Sequence, residues 1–279
     1  MSSPSHYLEA IVLGTVQGVA EFLPISSSGH LVILSAVMDA ATGREIDPEA
    51  NRLLVVVLHL GTLGSILWAY RRDLWSVATS PRYVAAVVIA TLPLVAVAFS
   101  PIKDLLQEAF DRPDFAGICL LVTAALLLAG QALANRPNDL STTEDPSNPS
   151  DGGVSLPAAV AIGLFQSLAL LPGISRSGST IAGGLMSGVA RADALRFSLM
   201  IGIPAIAGAG LLEAKSVFET GVSVSELPVG PLLVGAAVSF AVGVGAISLL
   251  KKAVSNDRLH WFAAYCAAVG TATLVWQAL

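Results

Sequence analysis

Six uninterrupted apolar runs divide this chain, at 53–70, 83–100, 115–134, 194–212, 231–250 and 259–278. Each is close to the roughly 20 residues an α-helix needs to cross the hydrocarbon core of a bilayer. In lipid the backbone must satisfy its own polar groups, so continuous runs dictate helices, whereas a barrel needs alternation. Charged residues make up 13% of the chain and apolar ones 54%. A soluble domain carries about a quarter charged residues, so the expected class is an all-α polytopic membrane protein. The net charge of −5 belongs to the loops, and no basic block of the kind that grips nucleic acid is present. Cys119 and Cys266 both fall in apolar runs and read as small buried hydrophobes, with no disulfide or metal cluster to build. A basic leader with a small-residue cleavage site is missing, so no removable signal peptide is expected.

Two shorter runs, 7–23 and 156–171, end at Pro and Gly and are followed by short apolar segments, 29–38 and 179–190. Short paired segments with a broken middle read as re-entrant helical hairpins. The chain thus divides into a first repeat at about 1–134, a polar linker at 135–155 and a second repeat at about 156–279. Each repeat is a hairpin plus three spans, all within a single membrane domain. Loop charges orient them. Arg71, Arg72 and Arg82 mark 71–82 as cytoplasmic, and Lys251, Lys252 and Arg258 mark 251–258 likewise. The acid-rich loops 101–114 and 213–230 go outside. Three spans is an odd number, so the second repeat must be inverted relative to the first. The two hairpin tips then meet near the midplane.

The hairpin breaks carry nearly the same text twice. The first reads Gly14-Thr15-Val16-Gln17, then Glu21 through Leu23-Pro24-Ile25-Ser26-Ser27-Ser28-Gly29-His30. The second reads Gly163-Leu164-Phe165-Gln166, then Leu171-Pro172-Gly173-Ile174-Ser175-Arg176-Ser177-Gly178-Ser179-Thr180. Polar clusters are expensive inside a membrane unless they line a site. Gln17 and Glu21 are four residues apart and share a helical face. Ser26, Ser27 and Ser28 can cap a helix, and His30 stands three residues past Ser27, where a turn could bring its ring to that hydroxyl. Arg176 is the strong cation of the second cluster, set among hydroxyls with Gly173 and Gly178 freeing the backbone. That composition suits a phosphate, gripped by a guanidinium fork and helix-start amides. His6, His59 and His260 have no such neighbours in the sequence and read as interfacial or packed. The pairs Gly14/Gly18 and Gly184/Gly188 read as close helix packing.

At these residues the sequence resembles the undecaprenyl-pyrophosphate phosphatase family, the bacitracin-resistance membrane phosphatases. One family motif matches Gln17 through His30, the other Pro172 through Thr180, and the resemblance spans essentially the whole chain. It implies a membrane hydrolase that converts a C55 isoprenyl diphosphate to the monophosphate and inorganic phosphate. That step recycles the lipid carrier of cell-wall synthesis. It further implies a divalent cation, Mg²⁺ or Ca²⁺, a site open to the outer side of the bacterial cell membrane, and a homodimer. On that reading Glu21 and Gln17 hold the metal. Arg176, with Ser175, Ser177, Thr180, Gly173, Gly178, Ser26 and Ser28, binds the phosphates. Ser27 is the nucleophile and His30 its base, with direct attack by His30 or by water also open. Many family members have Glu where this chain has Gln17. The competing class is a secondary transporter or lipid flippase, which inverted repeats with broken helices also suit.

Overall fold

The computed structural model describes residues 4–42, 48–134, 153–219 and 229–279. Among these the chain is all helix. The first hairpin is α1 (Pro4–Ala20) and α2 (Ser27–Thr42), followed by α3 (Pro48–Ala69), the short α4 (Leu74–Thr79), α5 (Pro81–Ala98), the short α6 (Lys103–Glu108) and α7 (Pro113–Ala134). The second hairpin is α8 (Leu156–Leu168) and α9 (Arg176–Met186), followed by α10 (Arg191–Glu219), α11 (Val229–Ser255) and α12 (Leu259–Ala278). Proline opens α1, α3, α5 and α7, where its missing N–H would have had no helical partner. Ser80 and Ser155 cap α5 and α8 by accepting the amides of Tyr83 and Ala158.

Five of these helices are long and apolar enough to cross a membrane: α5, α7, α10 as far as Ser216, α11 and α12. The protein is therefore a multi-pass membrane protein. The sixth expected span, 53–70, lies within α3, a helix of 22 residues whose stretch Leu53–Ala69 is apolar. Helices also run past the expected loop boundaries. The segment 213–219, read as loop, continues α10, and 251–255 continues α11, whose last turn holds Lys252 against the negative helix end. Residues 220–228 and most of the 135–155 linker lie outside the described residues.

Helix pairing exchanges partners between the halves. In the first hairpin α1 packs on α11 of the second half, and in the second hairpin α8 packs on α5 of the first; α7 packs on α12. Close approach explains the glycines. A Cβ on Gly14 would stand 2.7 Å from the carbonyl of Gly235, and one on Gly163 would stand 2.7 Å from that of Ala90. Gly18 is equally tight against Ser239, and Gly184 meets Ala194 at 2.9 Å. Gly188 departs from the packing expectation: it faces open space and turns the chain with φ +79°. The bundle keeps its apolar core around Phe22, Leu120, Ile162, Phe197 and Leu250. Leu8, Leu92, Leu164, Leu211 and Leu233 are exposed on its outside, a surface that belongs against lipid rather than water.

Candidate functional site

The two hairpin breaks fold alike and touch. Ser26 caps α2, its Oγ accepting the amide of Gly29 at 3.2 Å, and Ser175 caps α9, its Oγ accepting the amide of Gly178 at 3.2 Å. Each capping hydroxyl also bonds the serine two residues on, Ser28 at 3.3 Å and Ser177 at 3.2 Å. Ser27 and Arg176 therefore occupy equivalent first positions of two helices. A Cβ on Gly29 would stand 2.6 Å from the Cα of Gly173, so any larger residue would drive the breaks apart. Gly173 holds φ +98° and Ser26 φ +69°. The glycine takes that conformation freely, whereas the serine is held in it against its preference. Thr123 of α7 pins the second break, donating to the Gly173 carbonyl at 2.8 Å and accepting the Ser175 amide at 3.1 Å.

Glu21 sits where the breaks converge. Arg176 Nη2 donates to its Oε1 at 2.8 Å, across the two halves of the chain. Gln17 Nε2 and Ser27 Oγ donate to its Oε2 at 3.1 and 3.3 Å. The side chains of Glu21 and Arg176 keep only 9% and 13% of their exposure. A pair so withdrawn from solvent survives because its remaining hydrogen-bonding capacity is also used. Arg176 Nη1 reaches the carbonyl of Ser198 at 3.3 Å. The residues Glu21, Ser26, Ser27, Ser28, Ser175 and Arg176 line one cavity of about 190 Å³, with apolar residues such as Leu94, Leu170 and Ile206 on the rest of its lining. Two helix N-termini open into it, with the positive ends of both dipoles and a guanidinium beside a hydroxyl. That arrangement favours a phosphorylated ligand.

The profile of the bacitracin resistance protein BacA family matches residues 10–272. The chain belongs to the BacA family. It is 42% identical to an undecaprenyl-diphosphatase of Rhodopirellula baltica over 94% of this chain and 95% of that protein. It is 37% identical to one of Desulfosudis oleivorans, over 96% and 97%, and 36% identical to one of Desulfatibacillum aliphaticivorans, over 97% and 98%.

In this BacA-family chain several residues singled out by sequence stand elsewhere than expected. The Ser27–His30 contact is not formed. His30 Nδ1 bonds the Ser26 carbonyl at 2.7 Å and its Nε2 bonds the Tyr265 hydroxyl at 2.8 Å, with the two rings stacked. A carbonyl only accepts, so Nδ1 carries the proton and both ring nitrogens are taken. Ser27 turns to Glu21 instead. Gly173, Ser177, Gly178 and Thr180 lie behind the cavity wall. Ser177 is buried with Oγ near the Leu23 carbonyl at 3.4 Å, and Thr180 shares a hydrogen bond of 2.6 Å with Ser198. Gln166, the counterpart of Gln17, bonds the Ala90 carbonyl at 3.0 Å and serves the α8–α5 contact. His59, expected to be interfacial or packed, lines the cavity, with Nε2 3.9 Å from Glu21 Oε2. Thr123 and Gly202 are also site-shaping residues that the sequence reading passed over.

Gly202 of α10 leaves room for the Arg176 guanidinium; a Cβ there would overlap Nη1. Gly202→Ala is expected to fold, since α10 gains helix propensity, yet to swing Arg176 away from Glu21. Phosphate release from a prenyl diphosphate, the activity proposed below, should then fall by about 10²-fold, the order produced by a group misplaced by about an ångström. Phosphate release measured beside a thermal melt in detergent checks both halves of this expectation.

Proposed function

We propose that this chain is an undecaprenyl-diphosphatase of the bacterial cytoplasmic membrane, cleaving the C55 lipid diphosphate to monophosphate and inorganic phosphate. The observation that carries the reading is the Ser27–Glu21–Arg176 constellation at two converging helix N-termini. Its chemistry is phosphoryl transfer. Ser27 Oγ already donates its hydrogen to Glu21, so the carboxylate is placed to take that proton as the oxygen attacks the terminal phosphorus and the P–O bond to the departing prenyl monophosphate breaks; water then cleaves the phosphoserine, releasing inorganic phosphate and returning the hydroxyl. Arg176 and the first-turn amides of α2 and α9 neutralise charge on the transferred group. In phosphoryl transfer that positioning and neutralisation supply most of the rate. His30, locked between Ser26 and Tyr265, holds the strained Ser26 and thereby aims Ser27. The caps Ser26 and Ser175, with Ser28 and Ser177, fix the two helix starts rather than the chemistry. The prenyl tail lies along apolar residues of the cavity wall toward lipid.

Among the described residues no three His, Cys, Asp or Glu side chains form a closed metal cluster. One carboxylate and one side-chain amide do fit a cation that takes its other oxygens from a diphosphate and water, as Mg²⁺ commonly does. Glu21 and Gln17 would hold such an ion, Mg²⁺ or Ca²⁺, which would neutralise diphosphate charge when bound. We read the site as open to the outer side, with inverted repeats and the chain paired as a homodimer.

The functional test uses protein purified in detergent with C55 diphosphate. Equimolar prenyl monophosphate and inorganic phosphate are expected. Binding of the lipid without phosphate release would move the reading to a transporter or flippase. Orientation is tested separately by cysteine labelling in a background lacking Cys119 and Cys266. A cysteine at Ser80, on the arginine-rich side, should resist an impermeant outer reagent. One at Phe99, at the opposite end of α5, should react. The reverse pattern inverts the orientation.

A further inference from the structure

We propose that His59 is a metal ligand in this chain, and that the cation site at Glu21 therefore prefers a first-row ion such as Mn²⁺ to Ca²⁺. The inference rests on the diphosphatase reading and names a third donor for the same site. Three observations converge on it. First, His59 Nδ1 lies 2.8 Å from the Val55 carbonyl one turn back on α3. Only an Nδ1 that carries hydrogen can make that bond, so it is Nε2 that is left to take a metal once it sheds its own proton. Metal-binding imidazoles are oriented in this way, with the second nitrogen donating to a carbonyl.

Second, Nε2 lies 3.9 Å from Glu21 Oε2, in the cavity that also holds Ser27 and Arg176. The separation is too long for a hydrogen bond. Two donors sharing one ion at bond lengths near 2.1 Å stand about 3 Å apart when adjacent and about 4.2 Å when opposite. The observed 3.9 Å is close to the opposite arrangement. Third, Gln17 is against the same carboxylate oxygen, 3.1 Å away through its amide. A half-turn of the amide replaces its NH₂ with Oε1, so Glu21 Oε2 has an amide oxygen and an imidazole nitrogen as neighbours.

The donor chemistry sets the preference. Ca²⁺ is best served by six to eight oxygens, several of them anionic. Here the neutral Gln17 leaves a single carboxylate, and one donor is nitrogen. Imidazole suits first-row transition ions, while carboxylate, amide and phosphate oxygens suit Mn²⁺ as well as Mg²⁺ and Ca²⁺. Mn²⁺ accepts the whole mixed set.

The test uses the full chain in detergent, stripped of metal by a chelator and given a methylene-bridged prenyl diphosphonate that cannot be hydrolysed. Mn²⁺ is titrated and followed by electron paramagnetic resonance, with pulsed measurement of ¹⁴N coupling to the bound ion. An imidazole ¹⁴N coupling is expected in the parent. His59→Gln should abolish it and weaken Mn²⁺ binding by about tenfold or more, on the scale of ligand-sphere losses, while Ca²⁺ affinity changes far less. A parent without nitrogen coupling, or a variant that binds Mn²⁺ as tightly, overturns the assignment. Neither readout needs turnover. Phosphate release without ¹⁴N coupling removes the ligand alone; coupling without phosphate release removes the diphosphatase reading.

Discussion

Arg176→Ala is expected to abolish phosphate release, lowering turnover by about 10³-fold or more, the scale on which arginines act in phosphoryl transfer. The guanidinium reaches Glu21 at 2.8 Å from the other half of the chain, so the substitution also leaves a largely buried carboxylate without its ion-pair partner. Breaking such a pair destabilises a protein by about 3 kcal/mol, and instability alone could mimic a catalytic loss. Two companions separate the effects. Arg176→Lys keeps the charge but not the planar fork and should melt near the parent while recovering little activity. Arg176→Ala combined with Glu21→Gln removes both charges, should regain much of the stability and should remain inactive. Near-parent turnover by the single alanine variant contradicts the site.

Ser27→Ala is expected to lower turnover by at least about 10³-fold, as loss of a nucleophile does when binding groups remain. Its neighbours make a sharper comparison than any distant control. Ser26 and Ser28 stand one residue to either side and line the same cavity, yet their hydroxyls bond the α2 helix start and each other. Ser26→Ala removes an N-cap and should lower stability by about 1 kcal/mol, with a far smaller effect on the chemical step. Ser28→Ala should do less still. Equal losses at all three positions would mean a phosphate-binding cluster without a nucleophile.

Much of this was legible in the sequence because lipid leaves few alternatives. Uninterrupted apolar runs must be helices, and Pro-Ser-Gly interruptions within them must sit where protein or a cavity receives the freed backbone. The breaks at 21–26 and 169–175 follow directly. So does the Gln17–Glu21 contact, since residues four apart on a helix are neighbours. What the sequence could not convey is which faces meet. His59 lies on α3, and nothing local marks its face as the one turned to Glu21. Gly202 and Thr123 matter only because α10 and α7 pass behind Arg176 and Gly173. His30 shows the opposite failure. Its spacing from Ser27 permits contact, but the left-handed Ser26 and the ring of Tyr265 from the far end of the chain offered both nitrogens better partners. The duplicated text likewise conceals a difference. Gln166 repeats Gln17 in sequence, yet Leu170 stands on the cavity where repetition would place a second Glu21, so the two breaks share a frame and only one carries the acid.

The most direct measurement is a rapid-quench single turnover with C55 diphosphate labelled in the terminal phosphate, followed by mass spectrometry of the peptide covering residues 22–30. Transient label on Ser27, appearing before free phosphate and missing from Ser27→Ala, is the predicted result. Phosphate released with no chain-bound label at any time, or label carried by His30 with Ser27→Ala still active, would contradict attack by Ser27 beside Glu21.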